Sequence, residues 1–314
     1  MKQTSVIYCL VCGTMMILLM SGCAGGLNFT SRPAGDGEYV IPEEGAGGRP
    51  GMILAAGEKL TYKVSWTGIP VGELVLENHG LEKIKGIEAY HLTVLTISNK
   101  FLSSFFHIED TVHTWISREE GLPLRFEKVI KEGHYTKHQV IVFDHEKGQA
   151  TYYRKDKKNK SKTMPIPPDV QDVFSVLYWL RWQPLSLGRE IVLNVNGDKK
   201  NWLVKVDVID LGILRTKSQG KSIAYVLEPS ATHEGKALKK GKMRAWISAD
   251  RRRIPLAFQV NTPIFGRAYA ILSEAVLPPL PEEKSDDEGF FSRGYLKRGW
   301  INGITQADDQ FIGH

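Results

Sequence analysis

Cysteine is scarce in this sequence and absent from most of it. The three cysteines are Cys9, Cys12 and Cys23, and nothing after them carries a thiol. No disulfide can form in the later chain, thiol catalysis and cysteine metal sites are excluded there, and stability must come from a core large enough to need no cross-links. No apolar run reaches the about 20 residues that a permanent membrane-spanning helix requires. No Gly-x-Ser-x-Gly turn presents a serine nucleophile. No glycine-rich loop stands between a strand and a helix to cradle phosphate, and no cofactor is implied.

What the chain does have begins at its start. Lys2 supplies a small positive region, and Val6 to Met20 is apolar apart from Tyr8, Gly13, Thr14 and two cysteines. A run of that length ending in small residues reads as a cleaved secretory signal, residues 1–22. Leu18-Leu19-Met20-Ser21-Gly22-Cys23 resembles the bacterial lipobox, with Met20 where leucine is usual. The resemblance implies that Cys23 is acylated and becomes the first residue of an anchored protein; Ala24 after it implies the outer membrane. An ordinary signal peptide with a coincidental cysteine is the alternative. Several acyl chains, at about 0.8 kcal/mol per buried methylene, anchor stably where one chain is reversible.

Lys and Arg number 41 against 35 Asp and Glu, a formal charge of +6. Export removes nucleic acid as the partner of this basic chain and leaves anionic envelope surfaces. The densest cluster, Lys155, Lys157, Lys158, Lys160 and Lys162, reads either as a contact with such a surface or as a solvated loop tip.

From Cys23 to Gly57 the chain is rich in glycine and proline and reads as a flexible tether, with a reach of about 30 Å. Period-two alternation then takes over: Leu60, Tyr62, Val64 and Trp66 alternate with Thr61, Lys63 and Ser65. A turn at Gly68–Gly72 leads to a return strand from Glu73, and further strands are predicted near 88–98, 108–117, 124–131, 138–143, 149–154, 190–195, 202–209, 222–227, 242–248, 255–260 and 268–272. One segment differs. Asp169 to Trp182 has Val170, Val173, Phe174, Leu177 and Leu180 at helical spacing, with Asp169 as N-cap and Pro184 as stop. The expected fold is mainly β, with residues 58–275 forming a curved antiparallel sheet or half-open β-barrel and this helix as a lid. Residues 276–314 read as a linker and a disordered tail with an aromatic-basic end.

Trp115-Ile116-Ser117 leading to Pro123-Leu124-Arg125-Phe126 is repeated as Trp246-Ile247-Ser248 leading to Pro255-Leu256-Ala257-Phe258. Two related halves or reuse of one turn type would both explain it. Leu60–Trp66, Ile69-Pro70-Val71-Gly72-Glu73-Leu74, Asp172-Val173-Phe174-Ser175, Tyr178-Trp179-Leu180-Arg181 and the second of the two phrases, from Trp246 to Pro255, in this order resemble the bacterial envelope family catalogued as domain of unknown function 3108. The resemblance implies a fold similar to periplasmic lipoprotein carriers and outer-membrane lipoprotein receptors, which enclose acyl chains in a half-open barrel under a helical lid. That transfer of function is an analogy at the level of fold.

On this reading Trp66, Trp115, Tyr178, Trp179 and Trp246 are candidate ligand-binding residues, each with plain core packing as its alternative. Phe101, Leu102, Phe105 and Phe106 place four bulky apolar side chains in a connection, where polar residues are usual. They read as a lid or membrane-dipping loop, or as a short core-packed helix. His107, Glu109 and His113 share one strand face and suit zinc by type. Residues 107 and 113 on one strand, however, stand about 20 Å apart, which excludes a single ion. The expected function is non-catalytic binding of an acyl chain or other amphipathic envelope molecule. The alternatives are a scaffold lipoprotein that binds another protein, and thirdly an envelope hydrolase.

Overall fold

The computed structural model describes residues 27–31, 54–156, 160–238, 241–262 and 266–279. Cys23, Lys157, Lys158, the signal segment and the aromatic tail lie outside them. In chain order the elements are β1 (Asn28–Ser31), β2 (Lys59–Trp66), β3 (Ile69–Ile84), β4 (Ile87–Ser98), α1 (Lys100–Ser103), β5 (Glu109–Ser117), β6 (Pro123–Glu132), β7 (Tyr135–Asp144), β8 (Gln149–Arg154) and β9 (Lys160–Pro165). There follow β10 (Gln171–Asp172), α2 (Ser175–Trp182), β11 (Glu190–Gly197), β12 (Lys200–Thr216), β13 (Gly220–His233), β14 (Lys236–Ala237), β15 (Lys242–Ser248), β16 (Pro255–Thr262) and β17 (Gly266–Val276).

Alternation builds the strands and sends one face of each inward. On β2, Leu60, Tyr62 and Val64 are buried while Lys59 and Lys63 are exposed. All the strands join one curved, barrel-like sheet. β2 to β9 form one antiparallel meander and β11 to β17 another, and β17 pairs with β2 from Ala268 opposite Trp66 to Val276 opposite Lys59. The first strand of one meander and the last strand of the other therefore lie side by side in the middle of the sheet. β10 beside β11 is a parallel pair in an otherwise antiparallel set. Where β9 faces the β11–β12 hairpin, side chains bridge the seam: Tyr152 donates to Asn196, Asn196 to Asn201 at 2.7 Å, and Asn201 to the Pro165 carbonyl at 2.9 Å.

Antiparallel alternation assigns every turn to one of two ends. The lower end carries the start of β2 and the β5–β6, β12–β13 and β15–β16 turns. The upper end carries the β2–β3 turn and α1. The two Trp-Ile-Ser phrases form equivalent hairpins, each with a register shift directly after its tryptophan. In both, the serine N–H reaches a carbonyl across the turn at 2.8 Å, Ser117 to Leu122 and Ser248 to Ile254.

Four local expectations change. The helix begins at Ser175, not Asp169; Asp169 has φ 55° and sits in a turn, the N-cap is Phe174, and the Asp172 carboxylate accepts the N–H groups of Phe174 and Ser175. Ile69 to Gly72 belong to β3, and the turn is Thr67-Gly68. Lys160 and Lys162 lie on the edge strand β9 instead of a loop tip, and Lys155 pairs with Glu127 at 3.3 Å. Within the segment read as tether, Asn28–Ser31 is a strand paired with β12.

Gly72 shows how closely the sheet is packed. A Cβ there would lie 2.2 Å from the Ile97 carbonyl oxygen on the neighbouring β4. We expect Gly72→Ala to destabilise the domain by about 3 kcal/mol and to lower Tm by roughly 6–12 °C in a thermal melt.

Candidate functional site

Among the described residues α2 and the connections around it are the longest interruption of the sheet, and the helix is held at three points. At its start, the Asp172 carboxylate accepts the backbone N–H groups of Phe174 and Ser175, each at 2.7 Å, and the hydroxyl of Thr114 on β5. These bonds satisfy two N–H groups at the helix start, where the N-cap Phe174 has no side-chain acceptor to offer. Burial pushes the Asp172 carboxyl up, while Thr114, Ser175 and Phe174 pull it back. Gln171 reaches the Gly121 carbonyl in the β5–β6 turn at 3.1 Å. At its end, Arg181 forms a two-pronged pair with Glu58 at 2.6 and 2.9 Å, wholly inside the protein, and donates to the Arg252 carbonyl in the β15–β16 turn. Burial works against the Arg181 cation, but hydrogen bonding and attraction from Glu58 outweigh it and raise its pKa. The guanidinium also lies over the Tyr178 ring, 5.2 Å from its centroid.

Phe174, Leu177, Tyr178 and Arg181 form the buried face of α2, at the i, i+3, i+4, i+7 spacing of a helix stripe. Burial raises the Tyr178 and Tyr62 phenols well above their ordinary range. Tyr62 donates to the Pro255 carbonyl at 2.7 Å, tying β2 to β16. The remaining face is also apolar: Val176, Trp179, Leu180 and Trp182, with Val173 just before, are only half-buried against the core. Leu187, shortly after the helix, is 62% exposed.

The predicted ligand-binding residues are dispersed. Tyr178 is core, and Trp179 is on the half-covered face of α2. Trp66 is half-buried at the upper end. Trp246 is buried with the Phe29 ring edge-on at 6.2 Å. Trp115 points to the face of β5 opposite Val112, Thr114 and Ile116 and is half-buried. The Phe101–Phe106 segment divides by side chain. Leu102 is buried and Phe106 packs against the core, while Phe101 and Phe105, 65% and 67% exposed, stack edge-to-face on a turn capped by Asn99.

A feature absent from the sequence reading surrounds Trp115. Its indole N–H donates to Glu82 at 2.8 Å and its ring lies flat on His91, 4.5 Å between centroids. His91 contacts His113 at 2.9 Å and Glu82 at 2.7 Å, and His79 stacks on its other side. Arg125 lies over Trp115, and Arg125 and His138 both bond Glu127. These groups come from five consecutive strands, so cross-strand register alone assembles them. Among the described residues no group of three or more His, Cys, Asp and Glu is arranged to hold a metal ion. His107 instead pairs with Glu109 at 3.7 Å.

The fold and site together define a β-barrel-like domain with an internal helix. The chain belongs to the family described as protein of unknown function (DUF3108), whose sequence model matches residues 61–273. It is similar in fold to the beta-barrel-like protein of domain of unknown function DUF1849 from Brucella abortus, at 10% identity and TM-score 0.50, over 71% of this chain and 98% of that one. A Bacteroides fragilis protein described as exported, with a YmcC-like fold, is 11% identical over 72% of this chain and 98% of its own, with TM-score 0.26. No curated protein matches.

Two outcomes follow from the buried charges. Replacing Arg181 by Met leaves Glu58 buried without its cation and should cost about 3–5 kcal/mol. The double replacement E58M/R181M should recover most of that in a denaturant titration, because no lone charge remains. The second concerns pH. Burial, with His91 beside it, lowers the His113 pKa below 6.5, so the unfolded chain binds the extra proton first and stability falls as pH drops below about 6.5. Burial works to raise the Glu127 pKa, but bonds from Arg125 and His138 bring it to about 2; its contribution is full above 4.5 and lost as pH falls towards 2. Tm followed from pH 7 to pH 3 should fall in two stages, the upper diminished by His113→Asn and the lower diminished by Glu127→Gln, with Glu82, Glu109, Asp144 and Asp156, whose pKa values are also lowered, carrying the rest of the acid stage.

Proposed function

We propose that this protein is an outer-membrane lipoprotein, anchored through Cys23 and facing the periplasm, whose barrel binds an acyl chain or another amphipathic envelope molecule without catalysis. The observation that carries the reading is the second apolar face of α2. The helix already buries a complete stripe and is fixed at both ends, yet Val176, Trp179, Leu180 and Trp182 add a second apolar face that the core covers only in part. Half-covered apolar surface beside a few buried polar groups is what an amphipathic ligand needs. The carrier-like fold that the family resemblance implies is in keeping with this reading, as an analogy of fold alone.

Phe101 and Phe105 favour a second reading, a scaffold that binds an envelope protein. Two large, well-supported aromatics exposed side by side resemble the anchors of protein interfaces. Both roles can coexist, since the pair and α2 are separate surfaces.

Protein extracted from its own membrane and weighed under native conditions should carry an acylated Cys23 and a co-purified amphiphile. Replacing Trp179 and Trp182 by Ser should weaken binding of a fluorescent sixteen-carbon fatty acid by tenfold or more in a protein that still unfolds cooperatively, with Tm lowered because both side chains also pack on the core. A bare mass together with no fatty-acid binding by the unaltered protein would end the acyl-chain reading. Loss of a partner protein from F101S/F105S, with fatty-acid binding intact, would assign that pair to the scaffold role.

A further inference from the structure

We infer that the lower end of the barrel lies against the anionic headgroups of the membrane that holds Cys23, and that β1 fixes this orientation. The inference rests on the acylation of Cys23 proposed above and adds to it which surface of the domain meets the lipid.

β1 changes the mechanics of the anchor. A tether of 35 residues between Cys23 and the start of β2 would let the domain stand about 30 Å away and turn freely. Instead Asn28 pairs with Arg215 and Ser31 with Gly212, so the chain is fixed to the sheet five residues after Cys23. Five residues span at most about 18 Å. Side chains hold the strand as well. Ser31 donates to Asp210 at 2.6 Å, Arg215 donates to the Thr30 hydroxyl at 3.1 Å, and the Phe29 ring meets Trp246. Gly212 is shaped for this contact. A Cβ there would lie 2.2 Å from the Thr30 carbonyl oxygen, 2.8 Å from the Phe29 ring and 3.0 Å from Ser31 Cα, and all three atoms belong to β1. Glycine at 212 thus leaves room for β1.

β1 enters the sheet beside the lower end, next to the β12–β13 and β15–β16 turns, and these two turns are basic, whereas the β5–β6 turn at the same end also carries the exposed acids Glu119 and Glu120. Arg215 is opposite Asn28; Lys217 and Lys221 are exposed in and beside the β12–β13 turn. Exposed Arg251 stands in the β15–β16 turn, which the bond from Ala249 N–H to the Ile223 carbonyl, 2.9 Å, holds next to the same hairpin. Asp250, the acid within that turn, is engaged by the backbone N–H groups of Arg252 and Arg253. Ser218 donates to the Leu272 carbonyl at 2.5 Å, which fixes the turn against β17. Lys217 and Arg251 in anchored turns, with Lys221 and the half-buried Arg215 at the strand ends beside them, lie within reach of an acylated residue and match a surface of lipid phosphates. Phe101 and Phe105 are at the upper end, so the same orientation turns them away from the anchoring membrane.

Full-length acylated protein, reconstituted into vesicles, tests this directly. Single cysteines at Gln219 or Lys100 would carry a fluorophore, Cys23 being blocked by its lipid, and a nitroxide-headgroup lipid would act as quencher. In vesicles of 70% phosphatidylcholine and 30% phosphatidylglycerol, the label at 219 should be quenched several-fold more than the label at 100. K217E/K221E should reduce that difference, as should pure phosphatidylcholine. G212V should abolish it by unseating β1, and T30P, which alters β1 alone, should do the same if G212V folds poorly. Equal quenching at the two ends, or stronger quenching at 100, overturns the orientation while an acylated mass leaves the anchor standing. An unmodified Cys23 and failure to float with vesicles overturns both.

Discussion

Glu58 and Arg181 make the interaction on which the rest of this structure depends. The pair spans 123 positions of sequence and joins the residue just before β2 to the last turn of α2, with a further bond to the β15–β16 turn. Two charges taken out of water bring little net stability by themselves, but removing either leaves the other uncompensated. The pair therefore acts as a constraint on arrangement: α2 can lie in the barrel only where its arginine meets this carboxylate and its start meets Asp172 and Thr114. With both ends fixed, the buried stripe of α2 fills the core and its other face is left partly accessible.

The sheet follows a related logic. Because β17 pairs with β2, the meander before α2 and the meander after it share one continuous set of hydrogen bonds. The opposite join, at β9, uses side chains of Tyr152, Asn196 and Asn201 in place of a backbone ladder. Lysines on an edge strand such as β9 also discourage pairing with another chain. The barrel is thus firmly closed on one side and more lightly on the other. The same economy of contact governs the outer face, where His79, His91, His113 and Trp115 stack across neighbouring strands and stiffen a surface that carries no core.

Much of the fold was legible because it is local. Period two in Leu60–Trp66 and in Trp202–Val208 announces strands with one wet face, and the matched Trp-Ile-Ser phrases announce matched hairpins, down to the bulge after each tryptophan. The candidate site was less legible. Tyr178 and Trp179 are adjacent in sequence, yet one is core and the other half-covered. Trp115 and Trp246 occupy the same place in equivalent hairpins, yet one stacks on histidine and the other is buried under Phe29. Periodicity separates the two faces of a strand but does not say what covers each.

The sequence by itself determined the β class, the family, the position of the helix to within one or two turns, and a chain without thiol chemistry beyond Cys23. These follow from side-chain patterns a few residues long. Only the tertiary structure decided that Arg181 finds Glu58, that four histidines and Trp115 gather on one face, and that Asn28–Ser31 leaves the tether to join β12. Each depends on strand register and on contacts across 20 to nearly 200 positions of sequence, as between His91 and His113 or Ser31 and Asp210. Such contacts are selected by the packing of the whole sheet, and no local pattern encodes them.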